Sequence, residues 1–98
     1  MKYYMLNPDH SIREAKDIIE WATSFEGVSR FVAKTSLENG MISTVFLGID
    51  HNWGNGKPLF FETMVFDGPL DGEMARYHTW DEALQGHKAM VERVREGK

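Results

Sequence analysis

The stretch FVAKTSLENGMISTVF, residues 31–46, decides the fold. Phe31, Ala33, Thr35 and Leu37 alternate with Val32, Lys34 and Ser36, a period of two that belongs to a pleated strand and not to a helix. Asn39-Gly40 then supplies the two positive φ angles of a type I′ turn, so a tight antiparallel hairpin is expected. Towards the C-terminus, MISTVFLGI (41–49) and PLFFETMVF (58–66) continue as strands, and FDGPLDGEM carries two Asp-Gly turn steps into a fourth, EMARYHT. The result is a four-strand antiparallel meander spanning 28–78.

Both flanks of the meander have helical period. SIRE (Ser11 to Glu14) and TWDE (Thr79 to Glu82) have capping-box spacing, in which the hydroxyl accepts from the third helical N–H while the Glu reaches back. Gly27 and Gly97 provide left-handed stops, which places helices near 12–26 and 80–96. Ile12, Ala15, Ile18, Ile19, Ala22 and Phe25 form one apolar stripe, and Trp80, Ala83, Leu84, His87, Met90, Val91 and Val94 form the other. KYYML, ended by Asn7-Pro8, adds one strand whose pairing stays open. The fold class is α+β, an antiparallel sheet of four to five strands with two helices, in the order β-α-β-β-β-β-α.

Ninety-eight residues support one domain, because a chain of this length buries roughly 65% of its unfolded surface and sustains a single core. The net charge of −4, with Lys and Arg scattered singly, argues against nucleic acid as a partner. The absence of Cys removes disulfides, thiolate metal sites and cysteine nucleophiles together. No H-x-x-x-H or H-E-x-x-H occurs, so no metal and no cofactor is expected. No apolar run approaches the roughly 18 residues of a membrane span or has the form of a signal peptide, so the expected setting is the cytoplasm.

Chemistry-bearing residues collect in the loop 50–57. Asp50, His51 and Asn52 have the types of an acid/base pair with a positioning amide, and Asp50 and His51 define the enzymatic alternative, a small hydrolase. Trp53, Gly54, Gly56 and Lys57 offer a stacking surface, free N–H groups and a charge to a bound molecule, without any phosphate-binding fingerprint. The loop uses eight residues where an antiparallel connection needs about two to five, and Trp53 has no purpose in a plain turn. Glu62 stands among apolar neighbours and is expected to pair with Arg76 or His78 on the adjacent strand. His87 reads as a core or interface imidazole bonded to backbone, and Gly86 beside it as a close approach of another backbone.

Strands 41–49 and 58–66 are apolar at both parities, so both sheet faces are apolar in any register. With both helices on one face, the other face is left to meet a partner or a second copy. Phe46, Phe60 and Met64 are the candidate contacts of a homodimer.

The segment 43–87 combines STVFLG, DH followed by an aromatic and glycines, FETMVF, and the closing TW-x-EA-x-x-GH. In these pieces it resembles a group of short proteins encoded by bacteriophages and by bacterial genomes carrying phage remnants. The first 40 residues add nothing to the likeness. The resemblance implies context and no site residues: a small accessory protein that binds and sequesters or inhibits a host protein, including a host-defence component, or a small signalling ligand.

Overall fold

The computed structural model describes residues 2–27, 30–49 and 58–97. Its elements are β1 (Tyr4–Leu6), β2 (Ile12–Glu14), α1 (Ile18–Gly27), β3 (Phe31–Leu37), β4 (Gly40–Phe46), β5 (Phe61–Phe66), β6 (Met74–Tyr77) and α2 (Trp80–Glu96). Strands β3 to β6 form an antiparallel sheet in chain order, and β1 and β2 form a separate two-stranded sheet. The class is α+β, with the meander that the period-two segments indicate.

The first hairpin turns differently from the type I′ expectation. Leu37 pairs with Gly40, which leaves Glu38-Asn39 as the two-residue loop. Among the described residues only His10 and Asp67 combine a side chain with positive φ, so Asn39 does not. A tertiary contact takes precedence: Asn39 Nδ2 donates to the Val94 carbonyl near the end of α2. Gly40, at φ 153°, lets this corner close, because a Cβ there would lie 3.1 Å from the Asp67 carbonyl oxygen and 3.3 Å from Val94 Cγ1.

At the N-terminus, residues 12–14 are a strand and not the first turn of a helix. The Ser11 hydroxyl that would cap such a helix is engaged in a turn, donating to Asp9 Oδ1 at 2.5 Å and accepting from Asn7 Nδ2 at 3.0 Å. The helix begins at the next competent cap. Asp17 Oδ1 accepts from the Glu20 N–H at 2.8 Å, and Glu20 reaches back to the Lys16 N–H at 2.8 Å. The freed segment pairs with β1, Tyr4 opposite Glu14 and Leu6 opposite Ile12, so the order becomes β-β-α-β-β-β-β-α. A Tyr3–Ile49 bridge and the Tyr4 N–H on the Gly48 carbonyl tie this hairpin to the body.

α2 matches its sequence signals. Thr79 Oγ1 accepts from the Glu82 N–H at 3.1 Å, and Gly97, at φ 74°, ends the helix in the left-handed region. Ala83, His87, Met90, Val91 and Val94 are buried against the sheet, and α2 contacts all four strands. Met90, Val91 and Val94 pack on Ile42 and Val65. At the other end of the sheet, Phe46, Phe60, Phe61 and Ala83 form a second cluster, closed by Tyr4, Leu6 and Ile12 of the hairpin and by Trp80. Gly86 admits a ring and not a backbone, because a Cβ there would stand 2.1 Å from Tyr77 Cε1. α1 does not share the sheet with α2; it rests on β1, with Trp21 and Tyr3 ring centroids 4.8 Å apart.

Candidate functional site

Strand alternation sends every second side chain to the face opposite α2. The register aligns them in three rows: Ser36, Met41 and Phe66; Lys34, Ser43, Met64 and Met74; Phe31, Val45, Glu62 and Arg76. Among the described residues, the elements packed on the sheet are α2 and, at one end, the β1–β2 hairpin. No described element packs on the face opposite α2, called the open face below. Phe31, Phe66 and Met74 retain 53%, 41% and 48% of their surface, so these side chains are not part of the core.

The charged pair of this face is set directly across β5 and β6. Glu62 opposes Arg76, and Arg76 Nε donates to Glu62 Oε2 at 3.0 Å. Both groups are partly wetted, so the pair contributes no more than about 1 kcal/mol to stability.

The other sequence candidates fall elsewhere. Asp50, His51, Asn52, Trp53, Gly54, Gly56 and Lys57 lie outside the described residues. His78 does not join Glu62; its Nδ1 donates to the Pro58 carbonyl at 2.8 Å, anchoring the segment that leads into β5. Phe46 and Phe60, expected on an uncovered face beside Met64, are core residues at 2% and 8% exposure. The register explains the difference for Phe46, which opposes Phe61 and so shares its face with Phe61 and not with Met64. Phe60 has the parity of Met64, but it lies at the sheet end that the hairpin covers, with its ring 4.6 Å from Tyr4. Met64 alone of the three lies on the open face.

The most organised polar group is internal. His87 is 6% exposed, with Nε2 at 2.9 Å from Thr35 Oγ1 and Nδ1 at 2.7 Å from Thr44 Oγ1, and Thr44 Oγ1 in turn hydrogen-bonds Thr63 Oγ1. Its partners are hydroxyls on two strands, with Thr63 on a third reached through Thr44, and not the backbone. Burial pushes the imidazole below its ordinary pKa, because the charged form loses hydration. Thr44 and Thr63 are fully buried, so this chain of groups pins α2 to the sheet in one rotation. The threonines had a signal, since Thr35, Thr44 and Thr63 interrupt apolar strands, but only the register shows that they share a face.

A shallow hollow of about 250 Å³ lies between the hairpin turn and the start of α2, lined by Asp9, His10, Ser11, Thr79, Trp80 and Asp81. The His10 ring stacks on Trp80 at 3.7 Å and 8°. Asp9 is already committed to Ser11, whose side-chain and backbone hydrogen bonds hold its carboxyl below the usual range. This contact fastens the hairpin to α2. Among the described residues no group of three or more His, Asp and Glu is placed to hold a metal ion, and no helix is long and apolar enough to cross a membrane. Compared with protein-family models, with curated proteins and with solved structures, the chain matches none.

Proposed function

We propose that this chain is a non-enzymatic binding protein that acts by occupying a protein partner, with the open face of β3–β6 as its contact surface. The observation that carries this reading is the concentration on one face of Met41, Met64, Met74, Val45, Phe31 and Phe66 around a single Glu62–Arg76 pair. Apolar surface left in water forgoes about 25 cal/mol per Å² of burial, which a partner recovers. Methionines suit such a surface because their unbranched, polarisable side chains adapt to an irregular partner. The phage-type resemblance of 43–87 supports a host protein, including a host-defence component, as the target that is sequestered or inhibited in the cytoplasm.

The test is stoichiometry. A protein captured from a bacterial lysate by the wild-type chain, and lost with Phe66→Glu, is purified and titrated. Its activity is expected to fall linearly to an end point at one chain per target. Inhibition completed by a small fraction of an equivalent would mean turnover, and would remove this reading in favour of an enzyme.

A further inference from the structure

The two edges of the meander differ. β6 is four residues long, short enough to give an added chain little to pair with, whereas β3 runs seven residues and contains no proline. Among the described residues the only sheet neighbour of β3 is β4. The direction of its backbone groups follows from the ladder. The Phe46 N–H donates to the Arg30 carbonyl at 2.8 Å and the Leu47 N–H to the Phe60 carbonyl at 2.7 Å, so even-numbered residues of β4 turn their backbone to β3 and odd-numbered ones to β5. Ile42 and Thr44 therefore bond Thr35 and Ala33, which oppose them. The N–H and C=O groups of Lys34 and Ser36 point the other way, out of the sheet. Water solvates them in the free chain, and an extended backbone laid alongside replaces that water with a ladder.

Lys34 sets the chemistry of the chain that fits. It is the only charged residue of β3, and its Nζ stands 5.7 Å from the centroid of the Phe31 ring. Among the described residues no carboxylate forms an ion pair with it. A strand added antiparallel to β3 sets one side chain directly opposite Lys34, on the same face. Were that strand β3 of a second copy, every register that engages the outward groups of Lys34 within the strand would bring Lys34 of that copy opposite or diagonal, within about 8 Å, where like charges are unfavourable. An Asp or Glu of a different chain is favoured at the same place. The bulge between Phe31 and Ala33 ends the flat part of the edge, which leaves 33–37 as the pairing length. We infer that a protein partner adds an extended segment to β3 as a fifth strand, with an acidic residue opposite Lys34; this deepens, and rests on, the reading of the chain as a protein-binding one. The added side chain lengthens the row Lys34, Ser43, Met64 and Met74, so that edge and open face form one continuous surface.

The experiment uses the isotope-labelled full chain and two capped peptides of about seven residues, alternating Thr and Val, one with a central Glu and one with a central Lys. The Glu peptide is expected to slow hydrogen exchange of the Lys34 and Ser36 amides by about 10-fold or more and to leave the amides of β6 unchanged. The Lys peptide is expected to bind about 5-fold or more weakly, and Lys34→Glu to reverse that order. Ser36→Pro removes an outward N–H that the ladder does not use, and is expected to fold and to bind neither peptide. Should its thermal melt come early, the Glu peptide methylated at the amide nitrogens that face β3 takes its place and is expected to lose binding. Unchanged exchange at Lys34 and Ser36 with about 1 mM of the Glu peptide overturns the inference. So does equal affinity for the two peptides, or binding indifferent to Ser36→Pro or to methylation. A wild-type dimer split by Ser36→Pro would put a second copy on the edge and overturns it as well. The contact-surface reading is separated by the captured target: one lost with Phe66→Glu but kept by Ser36→Pro leaves that reading standing and removes the added strand, and one kept by both variants removes both.

Discussion

The two faces of the β3–β6 sheet are cut from the same four strands and are both apolar, yet one is sealed and the other is not. On the sealed face Ile42, Thr44, Phe46, Phe61, Thr63 and Val65 keep 0–2% of their surface. On the open face the corresponding positions of β4 and β5 are Met41, Val45, Glu62 and Met64, half-buried, and Phe66, exposed, with only the small Ser43 between them buried. The difference is one of stiffness and polar specification more than of hydrophobicity. β-Branched and aromatic residues hold defined shapes that fit a single partner surface, and the Thr35–His87–Thr44–Thr63 network permits one placement of α2. Methionines set no such demand.

The largest test of this contrast pairs two truncations. Phe61→Ala is expected to lower unfolding free energy by about 3–5 kcal/mol, because a fully buried ring leaves a cavity. Met64→Ala, one strand position class away on the open face, is expected to change it by less than about 1 kcal/mol at concentrations where the chain is monomeric. Urea titration of both variants measures the difference, and equal losses would mean that the two faces are packed alike.

Gly86→Ala sharpens the comparison within the sealed side. Alanine improves helix propensity by about 1 kcal/mol, but its methyl would enter the Tyr77 ring, so a net loss of about 1–3 kcal/mol is expected. Combining it with Tyr77→Leu should recover part of that loss, since the two changes share one contact.

Thr44→Val removes the partner of both His87 Nδ1 and Thr63 Oγ1, and is expected to cost about 1–3 kcal/mol. The same network has a pH signature. The folded pKa of His87 is depressed, so as pH falls the unfolded chain takes up its proton first. The stabilisation is complete above the unfolded value of about 6.5 and is lost as pH falls through the folded pKa. His87→Leu should therefore flatten the decline of the thermal midpoint on the acid side of neutrality, whereas Met74→Lys on the open face should leave that slope unchanged. A slope that survives His87→Leu would assign it to other groups.

The smallest effect belongs to the charge pair of the open face. Arg76→Ala is expected to shift stability by no more than about 1 kcal/mol, and about 1 M salt should erase most of the shift because both groups are partly wetted. A larger, salt-insensitive loss would place that face in the core and contradict the contrast between the faces.

What could be read from residues alone were the features that local forces decide. The period-two runs of β3 to β6, the helical stripe of α2, its Thr79 cap and its Gly97 stop all act within a few residues, and each appears in the expected order, although β4 already ends at Phe46 and β5 begins only at Phe61. The Glu62–Arg76 pairing was legible for the same reason, as one of two short-range options. Where two local signals competed, distant contacts chose. Ser11 and Asp17 are both competent helix caps, and the choice follows from Asn7 and Asp9 holding Ser11 and from β1 binding at Gly48 and Ile49. Asn39-Gly40 had the composition of a type I′ turn, and the Val94 carbonyl, 55 residues away, took Asn39 for another purpose. The open face itself was only half readable. That both parities are apolar is written in β4 and β5, but which residues of neighbouring strands share a face is a matter of register, and a one-residue slip exchanges the faces completely. Register and the seat of α2 depend on cross-strand pairing and on the His87 hydroxyl network, which joins residues up to 52 positions apart and therefore exists only once the chain has closed.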